Sequence, residues 1–316
     1  MRAPNLLIGA HPIGVFGHRG ARGLAPENSL PGFALARDLG LTGVEFDIAL
    51  SADGTVLVHH DPQLNTEITR DAAGQYLSAP GPLIRDLTAD ALAAFDIGRA
   101  QPGSAYAARY PTQRGLDGVG IPSLDQALGA LGTLDLLVEI KTFPDQPELT
   151  AAPESMVAAV LAVLRRHQAI ERTILFAFDW RVLRIAATLE PGLRRCCLTA
   201  PDTTTPVNAT GGRLWLDGIE LSAFNGQLAR AVAATGACAW APLHSTLDRG
   251  ACELAQSLGL AVIPWTVNLA SDIEAMIALG VDALISDYPD QALAAMRRKG
   301  RDLAAPGFVA ALRHQS

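Results

Sequence analysis

The chain has 316 residues, 49% of them hydrophobic and 18% charged, with a formal net charge of −7. That length suits one large α/β unit over 1–316 better than two ordinary domains, and it can bury a sizeable core without staples. The acidic balance excludes a nucleic-acid binder resting on a basic footprint, since Arg297-Arg298-Lys299 is short and sits at an expected helix end.

In chain order, residues 1–11 hold one Arg and a short apolar patch, Leu6-Leu7-Ile8. They lack the apolar stretch and small-residue cleavage site of a secretory signal, so a cytoplasmic protein is expected. No run of about 18 apolar residues follows, so no membrane span is expected. Nearly all-apolar runs then recur at 15–20, 44–50, 134–141, 173–178, 193–199, 261–267 and 283–286. Runs of that kind are parallel strands buried on both faces. For the sixth place in the series, 216–221 competes with 237–241. Between the runs lie amphipathic helical patterns. Three of these close on Leu39-Gly40-Leu41, Leu258-Gly259-Leu260 and Leu279-Gly280-Val281, a glycine C-cap leading straight into a strand. Ser123-Leu124-Asp125-Gln126 and Ser271-Asp272-Ile273-Glu274 have the capping-box pattern, and Pro289 suits the first turn of a last helix. Eight strands alternating with helices predict a (β/α)8 barrel. The exception is 62–118, rich in Gly, Pro and polar residues, with one helical pattern near 88–95. It reads as an insertion after the second strand, partly covering the barrel mouth. The four cysteines include the adjacent Cys196-Cys197 and show no CxxC spacing, which suits buried thiols in a reducing compartment.

In such a barrel, chemistry sits at the C-terminal strand ends, so polar groups there are informative. The first strand ends in His18-Arg19. The second carries Glu45 and Asp47, spaced i, i+2 and therefore on one face. A hairpin over 54–61 delivers His59, His60 and Asp61, and the third strand ends in Glu139 and Lys141. Trp265 and Asn268 close the seventh, and Asp287 the eighth. Glu45, Asp47 and Glu139 meet from neighbouring strands. Three carboxylates in an apolar interior do not all ionise without a cation, and pairing Glu139 with Lys141, or Glu45 with Arg19, leaves one over. All-oxygen ligation suits Mg2+ or Ca2+. His18 and His60 flank the cluster as a general acid and base, whereas His59 has the opposite parity. His167, His244 and His314 look incidental. Arg19 and Lys141 would receive an anion such as a phosphate. The residues alone thus reach metal-assisted hydrolysis of an anionic ester.

Gly17-His18-Arg19-Gly20 followed by Pro26-Glu27-Asn28-Ser29 resembles the opening of the glycerophosphodiester phosphodiesterase family, a branch of the phosphatidylinositol phosphodiesterase-like TIM-barrel superfamily. Glu45-Phe46-Asp47, Val58-His59-His60-Asp61-Pro62, Ile121-Pro122-Ser123-Leu124 and Val138-Glu139-Ile140-Lys141 resemble its further blocks. Pro264-Trp265-Thr266-Val267-Asn268 and Ile285-Ser286-Asp287-Tyr288-Pro289 resemble its later ones. Ser29 and Ser286 stand where the family usually has Thr, and over 207–245 the likeness is loose. The resemblance implies a TIM barrel with a small insertion after strand 2, one divalent ion on Glu45, Asp47 and Glu139, acid/base histidines at His18 and His60, and phosphate contacts at Arg19 and Lys141. Trp265 would form an aromatic wall against the glycerol moiety or pack in the core. Glu27 and Asn28 would position the first loop or line the phosphate site. Asp61 would orient the His60 ring or stabilise the turn at Pro62.

The activity so implied is hydrolysis of glycerophosphodiesters to glycerol 3-phosphate and an alcohol, through attack by the glycerol 2-hydroxyl and a cyclic phosphate. Competing readings are a lysophospholipase D-type phosphodiesterase, which needs an apolar ramp where 62–118 offers only Tyr76, Leu77 and Tyr106, and a non-catalytic ligand-binding barrel. A sugar isomerase or glycosidase barrel leaves His18-Arg19 with Lys141 unexplained.

Overall fold

The computed structural model describes residues 11–78, 80–204 and 211–312. Residues 1–10, most of the stretch read against a secretory signal, and His314 lie outside the described residues. Nine strands form one sheet: β1 (Gly14–His18), β2 (Gly43–Leu50), β3 (Val56–Val58), β4 (Asp135–Ile140), β5 (Thr173–Ala177), β6 (Arg194–Thr199), β7 (Ala239–Pro242), β8 (Ala261–Val262) and β9 (Ala283–Ser286). Their order is β8-β7-β6-β5-β4-β2-β1-β9, with β3 paired only to β2. Every pair is parallel except the β2–β3 hairpin. Hydrogen bonds from Asp282 N to Val262 O, Ile285 N to Pro264 O and Val267 N to Ile285 O bring the two ends together. The result is a nearly closed barrel of eight parallel strands wrapped by helices, a (β/α)8 TIM barrel.

Period-two alternation divides the apolar residues between two layers. Phe16, Leu137, Ile174, Phe176, Leu198 and Ile285 fill the barrel interior. Their neighbours Val15, Val44, Val138 and Leu175 face outward, onto helix residues such as Leu128, Val160 and Leu183. At the N-terminal end the short helix Phe308–Ala311 closes the floor. The Phe308 ring meets Phe16 edge-on at 5.9 Å, and the Gly307 and Val309 amides donate to buried Asp135.

Local signals explain the boundaries. Gly40, Gly259 and Gly280 take φ of 70°, 80° and 78°, the left-handed turn that ends a helix. Ser123 and Gln126 form both bonds of a capping box. One place the sequence left open is filled, and two expectations need correction. The sixth barrel strand is Ala239–Pro242, and 216–221 is not a strand, because Asp217 and Gly218, both at positive φ, break that run with a turn. Ser271 does not cap its helix, which starts earlier at Ala270 behind Leu269. The seventh strand pairs regularly only over Ala261–Val262, since Pro264 lacks the N–H that would continue the ladder.

Between β3 and the helix Leu124–Leu131 the chain builds two short helices, Ala89–Leu92 and Ala105–Arg109. The first was legible as a helical pattern and the second was not. Leu64, Ile84 and Leu92 give this segment a small core of its own against Ala49 and Leu57. Its described residues thus pack onto the β2–β3 hairpin.

Candidate active site

Inward-facing columns that begin apolar at the barrel floor end in charge at the C-terminal rim on one side of the barrel. Phe16 leads to His18, Leu137 to Glu139 and Lys141, and Ile285 to Asp287. Strand register sets their levels: His18 pairs with Glu45, and Asp47 with Glu139. The hairpin adds the next group, because Val58 pairs with Ile48 and the His59 amide donates to Asp47 O at 3.0 Å, which places His60 just beyond. After β1 the chain turns sharply through Arg19 (φ 51°) and Gly20 (φ 91°). A Cβ on Gly17 would lie 1.7 Å from Gly20 O, so this turn requires glycine.

One oxygen from each of Glu45, Asp47 and Glu139 lies within 4.8 Å of the others. Glu45 Oε1, Asp47 Oδ1 and Glu139 Oε1 are buried, and apart from Lys141 no donor satisfies them. Lys141 Nζ stands 3.1 Å from Asp47 Oδ1 and 2.5 Å from Glu139 Oε1, ion pairs that neutralise part of the charge. The opposite oxygens are held. Glu45 Oε2 accepts from Arg19 N at 3.0 Å, and Asp47 Oδ2 accepts from Asn28 Nδ2 at 3.0 Å. Burial, then repulsion from Asp47 and Glu139, pushes the Glu45 carboxyl well up, and burial raises Glu139. Asp47 resists burial and stays well below the usual range because Lys141, His60 and Arg19 surround it. Three clustered hard oxygens in a buried site, their charge only partly offset by Lys141 and Arg19, fit a divalent cation.

Both predicted histidines border this cluster, each backed by a carboxylate. His18 Nδ1 is 2.7 Å from Asp287 Oδ1, and its Nε2 faces Glu45 Oε2 at 3.6 Å. Asp287 also accepts from Arg22 Nε and Nη2 at 2.8 and 3.1 Å and from Asn268 Nδ2 at 2.7 Å. Arg22 Nη2 lies 3.0 Å from His18 Nδ1, but a guanidinium only donates. We assign the proton to Nδ1, shared with the carboxylate, which leaves Nε2 as the nitrogen turned to the metal side. His60 repeats the arrangement with Asp61 Oδ1 at 2.7 Å, itself held by Asn65. Burial, then Arg22, lowers the His18 pKa to about 4. Burial, then Arg19 and Lys141, lowers that of His60 to about 4. Asp61 and Asp287 stay well below the usual range despite burial, each held there chiefly by its histidine.

A cavity of about 640 Å3 opens over these groups. His18, Arg19, Glu45, His60, Glu139 and Lys141 line one side, and Phe143, Phe178, Leu198, Trp215 and Trp265 the other. Trp265 both lines the cavity and is locked in place, with Nε1 donating to Ala241 O and its ring edge-on to Phe178 at 5.3 Å. Glu27 and Asn28 stand behind the lining residues. Glu27 ties Arg19 Nη1 at 2.8 Å to the Tyr106 hydroxyl at 2.7 Å, and Asn28 holds Asp47. His59 turns away to Asp61 O, while His167 and His244 pair with Asp125 and Asp272. The sequence reading overlooked Arg22, Phe143, Phe178 and Trp215, and gave Asp287 no role. Inward parity along β5 would have found Phe178. Phe143 lies on a loop and Trp215 ends the short helix Gly211–Trp215, neither with a periodic signal.

A family model, the Glycerophosphoryl diester phosphodiesterase family, matches residues 18–291. A glycerophosphodiester phosphodiesterase of Caldanaerobacter subterraneus is 24% identical over 90% of this chain and 98% of its own. A Silicibacter pomeroyi protein, provisionally named a glycerophosphoryl diester phosphodiesterase, superposes with a TM-score of 0.83 at 32% identity, over 93% of this chain and 96% of that one. An Oleispira antarctica phosphodiesterase in complex with its product sn-glycerol-3-phosphate gives a TM-score of 0.66 at 24% identity, covering 90% and 96%. The family match spans most of the chain, and the strand ends it covers carry the acids and histidines described above. The chain belongs to the glycerophosphoryl diester phosphodiesterase family of hydrolases.

Proposed function

We propose that the protein hydrolyses glycerophosphodiesters to glycerol 3-phosphate and a free alcohol, with a divalent cation, Mg2+ or Ca2+, held by Glu45, Asp47 and Glu139. The single observation that carries this reading is the trio of clustered, buried carboxylate oxygens set between two carboxylate-backed histidines. The Oleispira complex supports the product. When bound, the cation supplies Lewis-acid charge that offsets the phosphate.

Arg19 and Lys141 hold the phosphate oxygens, and Glu27 keeps the Arg19 fork aimed. Nε2 of one histidine takes the proton of the glycerol 2-hydroxyl as that oxygen attacks phosphorus. Nε2–H of the other, protonated, passes its proton to the leaving alcohol. The two exchange roles when water opens the cyclic phosphate. Both imidazoles are neutral at pH 7 in the free protein, and an arriving phosphodiester anion favours the one imidazolium that the first step needs. Trp265 packs against the glycerol carbons. The whole of 1–316 acts as one catalytic unit, with 62–118 as an inserted rim that reaches the site through Tyr106 and Arg109. The four free, buried cysteines support a reducing compartment, the cytoplasm.

The test is release of glycerol 3-phosphate from glycerophosphodiesters with Mg2+ or Ca2+, beside lysophosphatidylcholine as the competing substrate. His18→Ala and His60→Ala should each lower kcat by at least about 100-fold while keeping metal affinity. Near-native turnover in either variant would reject the paired histidines, and turnover of the lysophospholipid alone would reject the substrate class.

A further inference from the structure

The cavity is divided by charge as well as by polarity. Its cations, Arg19, Arg22, Arg109 and Lys141, come from the loop after β1, the 62–118 segment and the end of β4. Beyond Lys141, the described residues of the segments after β4 and β6 bring no cation to the lining. They contribute Asp145 and Asp202 instead, both exposed and without a hydrogen bond or ion pair among the described residues. Between these segments the Phe143 and Trp215 rings meet at 85° with centroids 6.2 Å apart. Both rings line the cavity, and in such an edge-to-face pair the ring that presents its edge keeps both π faces free, in contrast to a stacked pair.

A second aromatic corner, Phe178 with Trp265, stands nearer the metal acids, and Lys141 Nζ lies 5.8 Å from the Phe178 ring centre. Resting on the reading above, in which Trp265 takes the glycerol, the Phe143–Trp215 corner is left for the group on the far side of phosphorus. We propose that this corner is a leaving-alcohol subsite for cationic amino alcohols, so that the preferred substrates are zwitterionic glycerophosphodiesters. The phosphate lies on the arginine side and the ammonium rests on the Phe143 and Trp215 faces. Asp145 and Asp202 bias the approach through the field at the mouth. Ring faces attract a quaternary or primary ammonium by their quadrupole, and a neutral polyol gains nothing comparable. An anionic alcohol meets two unpaired carboxylates.

The experiment compares kcat/KM for glycerophosphocholine, glycerophosphoethanolamine and glycerophosphoglycerol with the metal-loaded enzyme. We expect the two cationic substrates to lead the neutral one by about 10-fold. Trp215→Ala and the double variant Asp145→Asn/Asp202→Asn should each shrink that lead by at least about 3-fold. Tetramethylammonium should inhibit competitively, more weakly in both variants, which keeps the test valid if a variant turns over poorly. Equal rates for the three esters, or a lead untouched by either variant, overturns the subsite while leaving phosphodiester hydrolysis standing. Hydrolysis of none of the three overturns the underlying activity instead.

Discussion

Asp287 shows what a single carboxylate can do at the rim of a barrel. It fixes the proton of His18 on Nδ1, neutralises Arg22 and holds Asn268, all from a position 1% exposed. Asp287→Asn removes the charge and keeps the size, so the lost tautomer preference should cut kcat by about 100-fold or more. Calorimetric metal affinity should not move, and an unchanged kcat would show that the carboxylate only fills space. The same burial has a cost in pH. Both histidines have folded pKa values near 4, below the free value of about 6.5, so between these limits the unfolded chain binds more protons than the native one. Stability is then full above about pH 6.5 and falls as pH drops toward 4, by an order of ~3 kcal/mol per histidine at most. Urea midpoints of the metal-free protein at pH 7 and pH 5 measure this. His60→Gln should reduce the drop, and a flat profile in the native sequence would contradict it. Residue types and spacing were enough to single out His18, His60 and the three acids. Arg22 escaped because its function arises only when β9 closes against β1 and brings Asp287 beside it.

Among the elements, the loop from Gly17 to Gly20 and the β2–β3 hairpin decide where the histidines stand. Gly17→Ala puts a methyl 1.7 Å from Gly20 O, which the turn cannot absorb. The expected result is a loss of several kcal/mol in denaturant stability, together with activity, because the same turn aims the Arg19 amide at Glu45. A variant with native stability would mean the turn can rearrange. Tyr106→Phe tests the rim in a milder way. It removes one hydrogen bond to Glu27 and should raise KM several-fold with kcat little changed, since Arg19 loses aim rather than charge. Equal KM in the two proteins would mean that Glu27 orients Arg19 without help. The helices were legible here because their caps are local chemistry, as Ser123 with Gln126 shows. Trp215 was not, for it closes the five-residue helix Gly211–Trp215, which is too short to show a period.

For the molecule as a whole, the eight-strand order could be read from apolar runs, and only the sixth place was open. It stayed open because Leu216 and Ala239 are equally buried types, and only the turn at Asp217-Gly218 separates them. The molecule carries a buried excess of negative charge that a divalent ion would relieve. Saturating Mg2+ or Ca2+ at about 100 times Kd should therefore add roughly 2.7 kcal/mol of stability, seen as a higher Tm. In Glu139→Gln that shift should shrink sharply, and a Tm indifferent to both ions would remove the metal from the proposal.

The pairing of β1 with β9 also governs how the protein is made. One edge of Gly14–Gly17 finds its partner in Gly43–Glu45 early, but the other finds it only in Ala283–Ser286, and the floor beneath waits for Gly307 and Val309. During synthesis the first strand must spend nearly the whole length of the chain with one edge open, exposing an apolar ribbon that other nascent chains could pair with. Chaperone demand in the cell should thus track the time between those two segments emerging, and slowing translation late in the message should raise aggregation more than slowing it early.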